Sequence, residues 1–221
     1  MRLALLVVAV VSSVHLGAQL LGAVMISGVT QVLLMPALAM VLWTGTTAPR
    51  GRLVVLTLGA LGLSWVGDAV PRLLPESQSF VGMLAAFLVA HLLYAAAFWP
   101  RRHRSVLARP SLLVPYVAAA VLICALCAGQ AGPLLPAIIV YAAAIVIMAV
   151  LATGLGARAG IGGAVFVVSD SLIALDAFGV LTLPVQGFWV MSTYMLAQLL
   201  LVLSVRRVAA EPRPTRVART G

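Results

Sequence analysis

There is no lysine in these 221 residues, and there are only five carboxylates. Charged residues make up 9% of the chain and hydrophobic ones 63%. A soluble domain carries roughly 25% charged residues. So little charge excludes a soluble globular domain, because the apolar surface cannot be hidden from water. The chain is expected to be an integral membrane protein. Cysteine is scarce too: Cys124 and Cys127 stand alone, as a CxxC within an apolar run. Two thiols in hydrocarbon are more often small packing residues than a redox pair. Too few ligands lie near them for a metal site, so neither a metal nor a cofactor is expected.

What is abundant is apolar sequence. A spanning helix needs about 20 apolar residues. Runs punctuated by Gly, Pro or charge predict eight of them, near 3–22, 27–45, 53–71, 78–99, 111–128, 133–154, 160–181 and 186–205. The apolar N-terminus leads straight into further runs, so it reads as a first span and not as a signal peptide. The expected architecture is all-α and polytopic, with an eight-span domain over 1–206. Residues 207–221, "RVAAEPRPTRVARTG", form a basic tail expected to be disordered.

The net charge of +9 comes from 14 arginines, a balance that could suggest nucleic acid. Their placement points to topology. With the N-terminus in the cytoplasm, 13 of the 14 arginines fall on inner segments and only Arg72 lies outside. That one-sidedness follows the positive-inside rule. It predicts a multi-pass protein of the cell membrane with both termini cytoplasmic and no nucleic-acid partner.

An ionisable group in hydrocarbon costs at least ~2.5–3.5 kcal/mol and normally faces the protein interior or a wet cavity. The candidates are few. Ser64 and Asp68 lie four apart in "LSWVGD", on one helical face; His91 and Tyr94 lie in "AHLLY"; Ser169, Asp170 and Asp176 lie in "AVFVVSDSLIALDAF"; Tyr194 and Gln198 lie in "YMLAQ". His15 and Gln19, also four apart, read as links between helices. Counted at ~1.5 Å per residue from the nearest inner arginine, Asp170 and Tyr194 sit about 18 Å deep, His91 about 15 Å and Asp68 about 24 Å. Modest tilts bring these into one layer. Asp176, at about 27 Å, lies near the outer surface on another face. The interval from Asp68 to His91 is 23 residues and that from Asp170 to Tyr194 is 24, which suggests a parallel duplication of four helices with a site between the halves.

These stretches, in this order and spacing, resemble the lysoplasmalogenase, or YhhN-like, membrane proteins. "LSWVGD", "FLVAHLLY", "SDSLIA" and "YMLAQ" look like that family's S-x-x-GD, F-x-x-AH-x-x-Y, SD-x-x-x-A and Y-x-x-AQ elements. The family usually carries Lys-Pro at the start of the second span; here Gln31 and Val32 stand in those places. That leaves Gln31 as the substrate-binding candidate and removes a cation suited to a phosphate. The resemblance implies hydrolysis of the vinyl ether bond of lysoplasmalogens, giving a fatty aldehyde and a glycerophospho-alcohol. The chemistry suits the residues. Protonating the far vinyl carbon gives an oxocarbenium ion, water adds, and the hemiacetal collapses. Two carboxylates supply the acid, the stabilising anion and the base, much as in glycoside hydrolysis. Asp68 and Asp170 are the expected catalytic pair, supported by Ser64, His91, Tyr94, Ser169, Tyr194 and Gln198. The same buried acids would also serve a small proton-coupled transporter or a lipid-binding membrane protein.

Overall fold

Eight α-helices follow one another in the computed structural model, which describes residues 2–211. They are α1 (Arg2–Leu20), α2 (Val24–Thr44), α3 (Arg52–Leu73), α4 (Glu76–Phe98), α5 (Val114–Ala131), α6 (Leu135–Ala152), α7 (Ala157–Ala177) and α8 (Gln186–Ala209). Among the described residues there is no strand. Seven helical stretches are long and apolar enough to cross a membrane; one of them, Ser111–Leu155, contains both α5 and α6. These two pack on each other, so the 3-10 turn at Gly132–Leu134 reverses the chain between them. Gly132 takes φ +48°, a left-handed conformation open to glycine, and Pro133 then starts the next turn. The chain is an all-α, multi-pass membrane protein. The expected tail differs at its start: α8 runs on to Ala209, so Arg207, Val208 and Ala209 belong to its last turn. Residues 212–221 of that tail lie outside the described residues.

Consecutive helices pair, as short connections require. α3 packs on α4, α7 on α8 and α1 on α2. α8 also contacts α1, α2 and α3, and half of its apolar window is buried inside the protein (50%, against 22% for α1). Small residues set these approaches, as expected where lipid gives helices no hydrophobic drive to associate. A side chain at Gly163 would meet Ala149 of α6 at 2.8 Å, one at Gly162 would meet Leu200 of α8 at 3.0 Å, and one at Gly67 would meet the Phe87 ring of α4 at 2.7 Å. Pro36 lies inside α2 and cannot donate to the Val32 carbonyl. The Trp65 indole of α3 donates to that carbonyl instead, at 2.9 Å, which repairs the loss and joins the two helices.

The connections α2–α3 and α4–α5 and the end of α8 gather at one end of the bundle. Arg50, Arg52, Arg101, Arg104, Val208 and Glu211 line a common recess there. The α6–α7 turn joins them, since Thr153 Oγ1 accepts from the Val106 amide at 2.9 Å. Arg72 lies in the last turn of α3, which begins at Arg52, and so at the opposite end.

Candidate active site

Asp170 projects from α7 toward α4 and α6. His91 Nε2 lies 3.1 Å from its Oδ2, and the Tyr141 hydroxyl donates to the same oxygen. The His91 side chain is fully buried and that of Asp170 is 10% exposed. His91 Nδ1 is buried with no partner among the described residues. A lone pair left unpaired costs less than an orphaned N–H, so the proton is assigned to Nε2 and donated to Asp170. Phe166, one turn before Asp170, packs edge-on against the His91 ring with centroids 4.9 Å apart.

Asp68, 4% exposed, sits in a second cluster. The Tyr194 hydroxyl of α8 donates to its Oδ2 at 3.1 Å. Gln31 of α2 stands beside the same carboxyl. One turn earlier on α3, Ser64 Oγ accepts from Gln198 Nε2 at 3.1 Å, and Gln198 Oε1 accepts from the Tyr94 hydroxyl at 2.5 Å. Each buried polar group here therefore has a partner from another helix, as a low-dielectric interior demands. The two clusters meet through rings: Tyr194 packs edge-on against Phe166 at 5.5 Å and against Phe87 at 5.8 Å.

The acids differ in what they face. Asp170 lines a crevice between α4, α5, α6 and α7 of about 690 Å³, open mouth included. Its walls are apolar, with Phe80, Phe87, Ile123, Ile138, Ile145 and Phe178 prominent; Tyr141, Asp170 and Ser171 bring the polar atoms. Asp68 is not among its lining residues. An apolar crevice with a carboxyl and a phenol at one wall, and the buried His91 imidazole behind that carboxyl, suits an alkyl chain carrying one reactive polar bond.

The remaining candidates take plainer places. Ser169 donates to the Val190 carbonyl at 3.0 Å and ties α7 to α8. Asp176 accepts from Thr182 in the α7–α8 connection, away from Asp170. His15 links α1 to α2 through Thr30 Oγ1 at 2.9 Å and the Ser27 carbonyl at 3.1 Å. Cys124 and Cys127 are free thiols packed with Ile138 and Phe178. Tyr141 was missed by sequence reasoning. Its only signal is a single phenol in the apolar run "AIIVYAAAIV", with no polar neighbour to mark a face.

The hairpins α3–α4 and α7–α8 share a register. Gly67 precedes Asp68 and packs on Phe87, four before His91; Ser169 precedes Asp170 and bonds to Val190, four before Tyr194. The pairings across them are reciprocal, α4 supplying His91 to Asp170 and α8 supplying Tyr194 to Asp68.

Known proteins resemble this chain along most of its length. The chain is 39% identical over 176 residues to lysoplasmalogenase TMEM86B of Rattus norvegicus, covering 78% of this chain and 70% of that one. It is 37% identical over 177 residues to lysoplasmalogenase TMEM86B of Homo sapiens, covering 78% and 73%, and 36% identical over 174 residues to that of Mus musculus, covering 78% and 73%. No solved structure matches. The model of the YhhN family matches residues 26–205, from the first turn of α2 nearly to the end of α8, and so takes in both acids and every helix that holds them: the chain belongs to the YhhN family.

Proposed function

We propose that the protein hydrolyses the vinyl ether bond of lysoplasmalogens, releasing a fatty aldehyde and a glycerophospho-alcohol. The observation that carries this reading is the position of Asp170, held by His91 and Tyr141 at the polar wall of an apolar crevice. The alkenyl chain lies in the crevice, which brings its vinyl ether against the carboxyl. The names of the relatives support the same substrate class.

The reaction runs in three proton steps. The reaction draws on one carboxyl proton of the acid pair Asp68 and Asp170. Asp170, the member at the crevice, gives that proton to the vinyl carbon remote from the ether oxygen. The new C–H bond leaves an oxocarbenium ion, which the carboxylate beside it stabilises. Water adds to the cationic carbon and its proton returns to Asp170. The hemiacetal then breaks its bond to the glycerol oxygen, which takes up a proton as the aldehyde forms. Tyr141 and His91 hold the Asp170 carboxyl in place through these changes. Tyr194, Ser64, Gln198 and Tyr94 hold Asp68, Ser169 fixes α7 on α8, and Gln31 contacts the substrate's polar end. The enzyme works in the plasma membrane with both termini in the cytoplasm.

The test is direct. Purified protein is incubated with a lysoplasmalogen and with the lyso-lipid whose ether is saturated. Aldehyde from the first and none from the second is the expected result; no aldehyde from either overturns the reading.

A further inference from the structure

Among the described residues Arg72 is the only arginine at its end of the bundle, and its side-chain hydrogen bonds to them go to neutral oxygens. Nη1 donates to the Asp68 backbone carbonyl at 2.9 Å, and Nη2 donates to Gln31 Oε1 at 2.8 Å. The guanidinium lies against α2 at Gly28, where a side-chain carbon would be 3.4 Å from its Nε. Both acceptors are neutral oxygens, so these bonds orient the guanidinium, and among the described residues it forms no ion pair. A guanidinium has five N–H donors, and two bonds leave others free to donate. The residue is exposed. An oriented, exposed guanidinium with spare parallel donors matches the oxygens of a phosphate.

We propose that Arg72, oriented by Gln31, is the subsite that binds the phosphodiester of the substrate's headgroup. The inference rests on the lysoplasmalogen reading and names the polar end of that substrate. The spacing agrees with it. Five bonds separate the ether oxygen from phosphorus, and at ~1.2 Å of advance per bond the two lie about 6 Å apart. Arg72 follows Asp68 by four residues, which is about 6 Å along the axis of α3. That rise is comparable to the reach from ether oxygen to phosphorus, and it places Arg72 one helical turn beyond Asp68 toward the end of the bundle. Gln31, beside the substrate's polar end, also holds Arg72 in place.

The experiment compares a 1-alkenyl lysophospholipid with the 1-alkenylglycerol that lacks its phosphodiester. For the unaltered protein kcat/KM favours the phospholipid by roughly 10- to 100-fold, the scale of a charge-assisted contact. In Arg72→Gln that preference disappears through a higher KM, with kcat on the phospholipid kept. Arg72→Lys restores part of it, since charge returns without the fork. A preference that survives in Arg72→Gln overturns the proposal. So does a loss falling equally on both substrates, which marks a structural role near Asp68. Binding of the saturated 1-alkyl lysophospholipid and of 1-alkylglycerol, in detergent, reads the same subsite without turnover. If the unaltered protein releases no aldehyde, the activity reading fails, and weaker binding of the phospholipid alone to Arg72→Gln still supports the subsite. Equal binding of the phospholipid by both proteins overturns it. Thermal melting of each variant confirms folding, and Arg72→Lys stands in if Arg72→Gln does not fold.

Discussion

Asp170 receives hydrogen bonds from two helices on one oxygen and opens onto an apolar crevice; Asp68 lies deeper, under Tyr194. Substituting Asn keeps the shape of either acid but removes both its proton and its charge. Asp170→Asn and Asp68→Asn are each expected to lower aldehyde release by at least ~10²-fold, as for lost acid–base catalysis, while the protein still inserts and melts cooperatively. Asp176→Asn alters only the contact with Thr182 and is expected to keep most of the activity. Release measured with a coupled aldehyde dehydrogenase separates the three, and full activity in Asp170→Asn rejects the mechanism. Tyr141→Phe tests the support of Asp170. It removes one of the two donors and leaves His91, so kcat should fall by roughly 10-fold, the worth of one hydrogen bond. An unchanged kcat would mean that Tyr141 merely packs.

At the scale of the helix, polar groups of the backbone weigh more than side-chain propensity. Inside a membrane each freed carbonyl needs a partner within the protein. Pro36 frees the Val32 carbonyl and Trp65 supplies the partner, so a proline in α2 and a tryptophan in α3 act as one feature. Trp65→Phe keeps the ring and removes the donor. It is expected to lower stability by ~1 kcal/mol, read as an earlier melting transition in detergent with the crevice and its acids untouched. Unchanged melting would show that another group satisfies Val32. Helix spacing follows the same logic of close fit. Glycine at 162 and at 163 lets α7 approach α8 on one side and α6 on the other, which places Asp170 within reach of His91 and Tyr141.

For the whole molecule, charge and packing point the same way. The arginine-bearing connections gather at one end, and the exposed Arg72 stands at the other. Eight helices return the chain to the side on which it began. Reporter tags fused to either terminus should both register the cytoplasm, and a tag introduced in the α3–α4 connection should register the outside. Opposite results for the two termini would reject the topology. The matched register of α3–α4 and α7–α8, with its reciprocal pairings, supports a parallel duplication in which each acid is completed by the other half. Separate halves should then be inactive and regain aldehyde release on co-expression.

Local chemistry determined the helices. Apolar runs broken by Gly, Pro or Arg specify where a chain can cross lipid, and the observed helix ends fall within a few residues of those breaks, because hydropathy is a property of consecutive residues. The candidate residues were legible for a related reason: an acid or a histidine in hydrocarbon stands out against its neighbours, and an ordered set of such stretches marks a family. Partnership was not legible. Tyr194 and Asp68 are 126 residues apart, Gln198 and Ser64 are 134 apart, and Arg72 finds Gln31 across 41. Helical periodicity tells which face a residue occupies but not which helix meets that face, nor at what rotation. Those were decided by close contacts at Gly67, Gly162 and Gly163 and by the reach of Trp65 to a carbonyl that Pro36 had freed. Only the packed bundle could therefore bring Tyr141 to Asp170, set Asp68 behind the rings, and turn the outlying arginine onto Gln31.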